Sequence, residues 1–296
     1  MRVRSQTPTV TVIIPVYNKQ RFIAATIESA LHQSYSAFQI IVVDDGSTDD
    51  SRAIIERYRD KVTILEHPTH ENCGQSAAIN LGLKSTTGEY VSILDADDLW
   101  DPRKLERQVE FLETHPEFGF VYANGYVIDQ GGAIQYPLFC PNHTEPSRPE
   151  EMLLHCPLGC PSGYLVRGSL FEAVGYYDEA LRSAQDHDML IRLTEIARVG
   201  YIDEMLWFKR EHPNSLSATH AKRGWLLGFV ILKKACQRYP YSPCVRRRRL
   251  AVLHYRLGQC FAREGRYFSS ARHLFLAALF DPKRAFRVLI GAEAAS

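Results

Sequence analysis

Aspartates gather in three short runs of this chain: Asp44-Asp45 ahead of Gly46-Ser47, Asp95-Ala96-Asp97-Asp98, and Asp186-His187-Asp188. Clustered carboxylates repel one another and persist only where a cation or hydrogen-bond donors compensate. A carboxylate with room for phosphate oxygens beside it is how proteins usually hold Mg2+, through few protein ligands plus the substrate. Each run also has a plainer reading. Asp-Asp-Gly-Ser is a turn sequence, Asp98 can cap a helix before Asp101-Pro102, and Asp186 can be the N-cap of the helix after it. Lys209-Arg210-Glu211-His212 adds cations and an imidazole. Such groups can meet a diphosphate as it gains charge, and His212 can touch a metal; the alternative is a polar loop.

The elements that must position these groups alternate. Val10–Pro15 reads as a β-branched strand, Arg21–His32 as a helix, and Phe38–Val43 as a strand ending in Asp44-Asp45. Ser51–Arg59 reads as a helix behind a Thr48 or Asp49 cap, Val62–Leu65 as a strand, Ser76–Leu83 as a helix and Tyr90–Leu94 as a strand. Strands alternating with helices predict an α/β fold with a mainly parallel sheet covered on both faces. Right-handed crossovers bring the strand ends to one edge, where such folds bind ligands. The Asp44-Asp45 and Asp95–Asp98 runs then share that edge, which is hard to ascribe to turns alone. From Phe120 to about Pro161 the chain reads as irregular, rich in Pro, Asn, His and Gly, a composition suited to binding loops for an acceptor. Beyond it, Gly163–Val166 reads as a strand, Asp186–Glu195 as a helix and Val199–Trp207 as a strand, with helices from Ala218 onward. The expected boundary lies near Leu216, giving domains 1–215 and 216–296.

Taken in order, these segments resemble glycosyltransferase family 2, the nucleotide-sugar-dependent enzymes of GT-A fold, over about residues 9–215. Val12-Ile-Ile-Pro15-Val-Tyr17-Asn18 is similar to the family's opening strand and nucleotide contact, and Val42-Val-Asp44-Asp45-Gly46-Ser47-Thr48-Asp49 to its base-binding turn. Asn72-Cys-Gly74-Gln-Ser-Ala-Ala-Ile-Asn80 is similar to a helix start that commonly reads Ala-Arg-Asn. Gly88 to Asp98 resembles the metal-binding Asp-x-Asp element, and Gln185-Asp186 the segment that normally ends in Glu-Asp.

The resemblance implies roles residue by residue. Pro15, Tyr17, Asn18, Asp45, Asn72 and Gly74 would surround the nucleotide, with Asp95 at the ribose or sugar. Asp97, with His212, would hold Mn2+ or Mg2+, and Arg210 would meet the diphosphate. Asp186 would be the general base of an inverting displacement, transferring one sugar from a nucleotide-sugar, a UDP-sugar by preference, to a saccharide or lipid-linked acceptor. The setting implied is cell-surface polysaccharide or glycoconjugate synthesis of bacterial type. Ile79 in place of Arg and Gln185 in place of Glu depart from the pattern, and they support the competing reading of a non-catalytic nucleotide-sugar-binding protein. A nucleotidyltransferase is disfavoured because no glycine-rich loop follows the first strand. A processive synthase is disfavoured because no Gln-x-x-Arg-Trp element or membrane span is present.

Composition bounds the rest. In 296 residues, 45% hydrophobic and 23% charged residues suffice for a packed core. No apolar run reaches the ~20 residues that span a bilayer, and the start lacks a leader's apolar stretch. Seven cysteines without framework spacing suit a reducing cytoplasm. Cys140, His143, Cys156 and Cys160 are zinc-ligand types at loose spacing; buried free thiols are the alternative. The net charge of +1 conceals a division, since residues 221–296 hold 16 Lys+Arg against 3 Asp+Glu. The acidic remainder disfavours nucleic acid, while the basic segment, Arg246–Arg249 above all, suits an anionic membrane surface reached peripherally from the cytoplasm. Residues 251–284 resemble a single tetratricopeptide repeat, with Ser270 at a usual alanine. One repeat cannot bury its own apolar face, so packing on helix Trp225–Cys236 is expected.

Overall fold

The computed structural model describes residues 8–146, 148–155, 158–213 and 221–289. The chain forms two compact units, Met1–Ser147 with Pro157–His212, and Arg148–Cys156 with Pro213–Ser296. This differs from a single cut at 215/216: the short segment 148–156, expected in the first domain, belongs to the second unit. Leu216 itself lies outside the described residues.

The first unit is built on β1 (Val10–Val16), β2 (Phe38–Asp44), β3 (Thr63–Glu66), β4 (Tyr90–Ile93), β5 (Leu99–Trp100), β6 (Phe118–Ile128), β7 (Ile134–Pro137), β8 (Tyr164–Arg167) and β9 (Arg198–Arg210). They form one sheet in the order β3-β2-β1-β4-β8-β6-β9-β5, with β7 paired to β6. The run β3-β2-β1-β4 is parallel. Beyond it β8 runs antiparallel to β4 and β6, while β6 and β9 are parallel. Helices α1 (Ile23–Leu31), α2 (Ser51–Glu56), α3 (Gln75–Lys84), α4 (Lys104–Thr114), α6 (Gly168–Val174) and α7 (Gln185–Ile196) flank it, and α5 (Pro149–Leu154) belongs to the second unit. Every residue of β1 is buried, as expected of a central strand covered on both faces. Its Val12 and Ile14 join Ile27, Val42, Leu105, Val121 and Trp207 in the main core.

The segment read as irregular from Phe120 holds a major correction. It begins inside β6, a strand of 11 residues between β8 and β9. Asn124-Gly125 looks like a turn, yet it lies mid-strand at a register shift against β9. Gly125 is there because of Trp207. A Cβ at Gly125 would stand 2.5 Å from the Trp207 carbonyl oxygen and 2.9 Å from its indole nitrogen.

The second unit is helical: α5, α8 (Ala221–Arg238), α9 (Pro243–Arg263), α10 (Tyr267–Phe280) and α11 (Pro282–Leu289). Ser242 caps α9 by accepting from the Val245 N–H at 3.3 Å. Gly265, with φ of 70°, turns the chain from α9 into α10. Ser270 is buried at the crossing and donates to the Gly258 carbonyl at 2.9 Å, so a hydroxyl replaces the expected methyl without a polar penalty. Gly228 of α8 lies against Leu253 of α9, the packing expected of the Trp225–Cys236 segment. Within the arginine run, Arg249 is buried and donates to the Leu154 carbonyl at the end of α5 at 2.9 Å, while Arg246 donates to the Tyr241 carbonyl at 2.7 Å. The run is therefore partly structural rather than a uniformly solvated face.

Candidate active site

Three strand ends and the first turn of α7 converge on one edge of the sheet. Tyr17, just past β1, is 43% exposed and offers a free ring face, whereas Pro15 is buried in the strand opposite Val43. Asn18 takes a positive φ of 52°, and its Oδ1 accepts from the Thr48 N–H at 2.8 Å. It thus clamps the Asp45–Thr48 turn. At the end of β2, Asp45 accepts from the backbone N–H groups of Cys73 and Gly74, both at 2.8 Å. A second lone pair remains on each of its oxygens. Burial raises the Asp45 pKa, opposed by those two hydrogen bonds and by the nearby His67 and Arg182 charges. Asn72 is exposed on the same loop. Gly74, with φ of 94°, opens α3, and a side chain there would run into the Arg182 guanidinium.

The Asp-x-Asp turn follows β4. Asp95 accepts from Gln75 Nε2 at 2.8 Å. Asp97 pairs with Lys19 Nζ and, at 2.9 Å, with His212 Nε2, both on the same carboxylate oxygen. Burial works to raise the Asp97 pKa, but His212 and Lys19 outweigh it and hold the carboxylate below its ordinary value. Asp95, buried beside Asp97, is pushed up to about 7. Asp98 has a different task. Its carboxylate is buried and accepts from Ser162 Oγ at 2.6 Å and from the Arg210 N–H at 2.9 Å. Those contacts pin the loop to the 3-10 turn Pro161–Gly163 and to β9.

Asp186 lies in the first turn of α7, whose N-cap is Ala184, so it is not the helix cap. Its Oδ1 is buried with no hydrogen-bond partner among the described residues. Burial, followed by the charge of Asp95, pushes its pKa up to about 8. The carboxyl lines a small apolar pocket with Pro161, Tyr164, Phe171, Tyr177 and Leu190. Gln185 Nε2 donates to Gln75 Oε1 at 2.7 Å, so the two amides bridge from Asp95 to the neighbourhood of Asp186. Asp188 is committed elsewhere, paired with Arg192 at 2.9 Å.

Arg210 corrects a sequence expectation. It was expected at a diphosphate, but its guanidinium is turned inward to the carbonyls of Asp97 at 2.9 Å, Asp129 at 3.2 Å and Gln130 at 3.1 Å. Alternation along β9 explains this, because Arg210 points to the buried side. Its neighbour Lys209 lies on the other face, with its Nζ 3.2 Å from Glu211. Sequence reasoning passed over Lys19, Gln75, His67 and Arg182, whose importance arises only from contacts with residues far along the chain.

The zinc-type residues do not gather among the described residues. His143 Nε2 meets the Tyr122 hydroxyl at 2.5 Å and its ring stacks on Phe139, Cys140 is exposed, and Cys160 Sγ donates to Asp98 at 3.4 Å. Cys156 lies outside the described residues.

A sequence profile for glycosyl transferase family 2 matches residues 11–175, more than half of the chain and all but the first residue of the β1–β8 framework just described. The chain belongs to glycosyltransferase family 2. Relatives of this family 2 chain include a glycosyltransferase of Rickettsia prowazekii, 33% identical over 220 residues that cover 72% of this chain and 67% of the relative. Among solved structures, TarS residues 1–349 of S. aureus in complex with UDP-GlcNAc matches with a TM-score of 0.66 at 21% identity, covering 86% of this chain and 73% of that one. The mannosyltransferase PcManGT of Pyrobaculum calidifontis, in complex with GDP-Man and Mn2+, matches with a TM-score of 0.59 at 21% identity, over 97% and 80% of the two chains. The family 2 chain therefore has the GT-A fold and is a glycosyltransferase. Among its described residues, no helix is long and apolar enough to cross a membrane.

Proposed function

We propose that the protein is an inverting, metal-dependent transferase that moves one sugar from a UDP-sugar to a hydroxyl of a saccharide or lipid-linked acceptor, in bacterial-type surface polysaccharide or glycoconjugate synthesis. The observation that carries this reading is the convergence of Asp95, Asp97 and Asp186 on one sheet edge, with His212 brought to Asp97 from the far end of β9. An aspartate carboxylate and a neutral imidazole are a donor set that fits Mn2+ or Mg2+. Asp97 and His212 would hold the ion, with Asp95 beside them. Lys19 already directs a positive charge, and His212 an imidazole nitrogen, at the oxygen such a cation would take. When bound, the metal supplies neutralisation of the diphosphate leaving group.

This chain's own groups do the rest. Tyr17 would stack on the base, while Asp45, with Asn72 and Gly74 beside it, would accept a base N–H on its remaining lone pairs. Pro15 and Asn18 shape that loop and stand behind the base. Asp95 would accept from a sugar or ribose hydroxyl. Asp186, in its ionised form, would take the acceptor hydroxyl's proton as oxygen attacks the anomeric carbon, and the apolar wall of Tyr177, Phe171 and Leu190 would keep water from competing. Arg182, near the nucleotide loop, would supply the positive charge that Ile79 lacks. The sequence alternative of a non-catalytic binder requires Asp186 to be idle, yet its buried, unbonded oxygen faces the pocket. We place the protein in the cytoplasm, peripherally at the inner face of the membrane through its basic C-terminal unit. The test is nucleotide release with Mn2+ across a panel of UDP- and GDP-sugars. Release that Asp186→Asn removes while donor binding survives supports transfer; binding without release in the wild type overturns it.

A further inference from the structure

Among the described residues, helix α10 is packed on one side only. Ser270 and Ala277 are buried, His273 Nδ1 meets His254 Nδ1 at 2.9 Å, and Phe280 stacks on His254 with ring centroids 5.6 Å apart. These residues settle the face turned toward α9. The opposite face carries Tyr267, Phe268, Phe275 and Leu279, which are 74%, 86%, 70% and 63% exposed. Positions 268, 275 and 279 recur at spacings of seven and four, which is one side of a helix. Contiguous exposed apolar surface of this kind marks an interaction site.

The charge around the stripe selects its partner. Arg263, Arg266, Arg272 and Lys283 are exposed on and beside α10. Glu264 is held by Lys222 at 2.7 Å, and Asp281 lies 4.0 Å from Arg248. The surroundings are therefore strongly positive, in a segment with 16 basic and 3 acidic residues over 221–296. A second copy docked face to face would set arginine against arginine. The stripe is also small, since a helix of 14 residues is only ~21 Å long, well short of a standard protein interface. Aromatic side chains flanked by arginine suit a different medium, the headgroup layer of an anionic bilayer, where apolar insertion and electrostatic attraction add.

We propose that the α10 face of Tyr267, Phe268, Phe275 and Leu279, with the arginines beside it, seats on the surface of an anionic lipid bilayer. The inference rests on the peripheral location proposed above and gives it a surface distinct from the arginine run, of which Arg249 is buried. The four side chains enter the headgroup layer and nothing crosses the membrane.

The test is flotation of the full chain with vesicles of equal parts phosphatidylcholine and phosphatidylglycerol, and with phosphatidylcholine alone. The wild type floats with the anionic vesicles and little with the neutral ones. The double variant Phe268→Ser with Phe275→Ser partitions about tenfold less, with unchanged thermal unfolding and unchanged nucleotide binding. Phe268→Trp with Phe275→Trp partitions at least as well as the wild type, whereas Arg246→Gln with Arg247→Gln changes partitioning far less than the serine pair does. Anionic vesicle binding that survives the serine pair overturns the assignment of this face. No wild-type binding overturns both it and the peripheral location, and intact nucleotide binding in that sample leaves the transferase reading standing. A wild-type dimer that the serine pair converts to monomer, without vesicle binding, means that a second copy covers the face and also overturns the proposal.

Discussion

His212 Nε2 stands 2.9 Å from Asp97 Oδ2, although 115 positions separate the two residues. The contact closes the sheet edge by joining the end of β9 to the turn after β4, and Phe22 packs against the imidazole with ring centroids 5.0 Å apart. Asp97→Ala is expected to abolish Mn2+-dependent strengthening of donor binding, and His212→Ala to weaken it by about tenfold or more. Calorimetric titration of a UDP-sugar with and without Mn2+ checks this. Metal dependence unchanged in both variants would remove the ion from this site.

Asp186→Asn keeps the size of the side chain but cannot accept the acceptor's proton. Its kcat should fall by about 10²–10⁴-fold while the donor KM changes little, because the base touches the acceptor and not the nucleotide. Asp188→Asn should instead lower stability, since it strands the buried Arg192 guanidinium. If Asp188→Asn abolishes turnover in a well-folded protein while Asp186→Asn does not, the roles of the two aspartates are reversed.

The raised pKa values of Asp95, about 7, and Asp186, about 8, make a statement about stability without metal. Each carboxyl keeps its proton in the folded protein at a pH where the unfolded chain has released it. The folded state thus binds more protons, and stability falls as pH rises. This contribution is complete below about pH 4 and is lost as pH passes through about 7–8. In the presence of a chelator, the Tm of the wild type should therefore decline across that window, on top of whatever other groups contribute. The decline should be shallower in Asp186→Asn, and an equal slope in both proteins would show that Asp186 is not a strongly shifted group.

Gly125→Ala tests the correction at β6. The added methyl would meet the Trp207 carbonyl and indole within van der Waals distance, in a core with no slack. Overpacking of this kind costs about 1–3 kcal/mol. Urea unfolding should report the loss as a lower midpoint with an unchanged slope, and an unaltered midpoint would mean that Trp207 can move aside.

Much of the site was legible in the order of the segments, because strand ends are local features. Asp45 closes β2, Asp95 and Asp97 follow β4, and the alternation of strands with helices already implies that these ends share an edge. Asp186 was not legible on that footing: local chemistry offered only a helix cap, and its role came from the resemblance of Gln185-Asp186 to the family's Glu-Asp segment. Period and turn chemistry misread the chain where tertiary packing overrides them. Asn124-Gly125 has the composition of a turn, yet it lies within a strand because an indole from β9 needs the space.

Which partners each carboxylate takes was decided by the tertiary structure. Asp97, Asp98, Asp186 and Asp188 look alike as residue types, but Asp98 is held by Ser162 and the Arg210 N–H, and Asp188 by Arg192. That leaves Asp97 to Lys19 and His212, and Asp186 to the pocket. Arg210 and Lys209 differ by one position in sequence and by a whole face in space, because successive side chains along a strand point to opposite sides. The chain alone carried the family, the βα order and the candidate acids, since each depends on neighbours within a few residues. Only folding selected among those acids and exposed the apolar stripe of α10, since burial and charge compensation come from residues that the sequence keeps far apart.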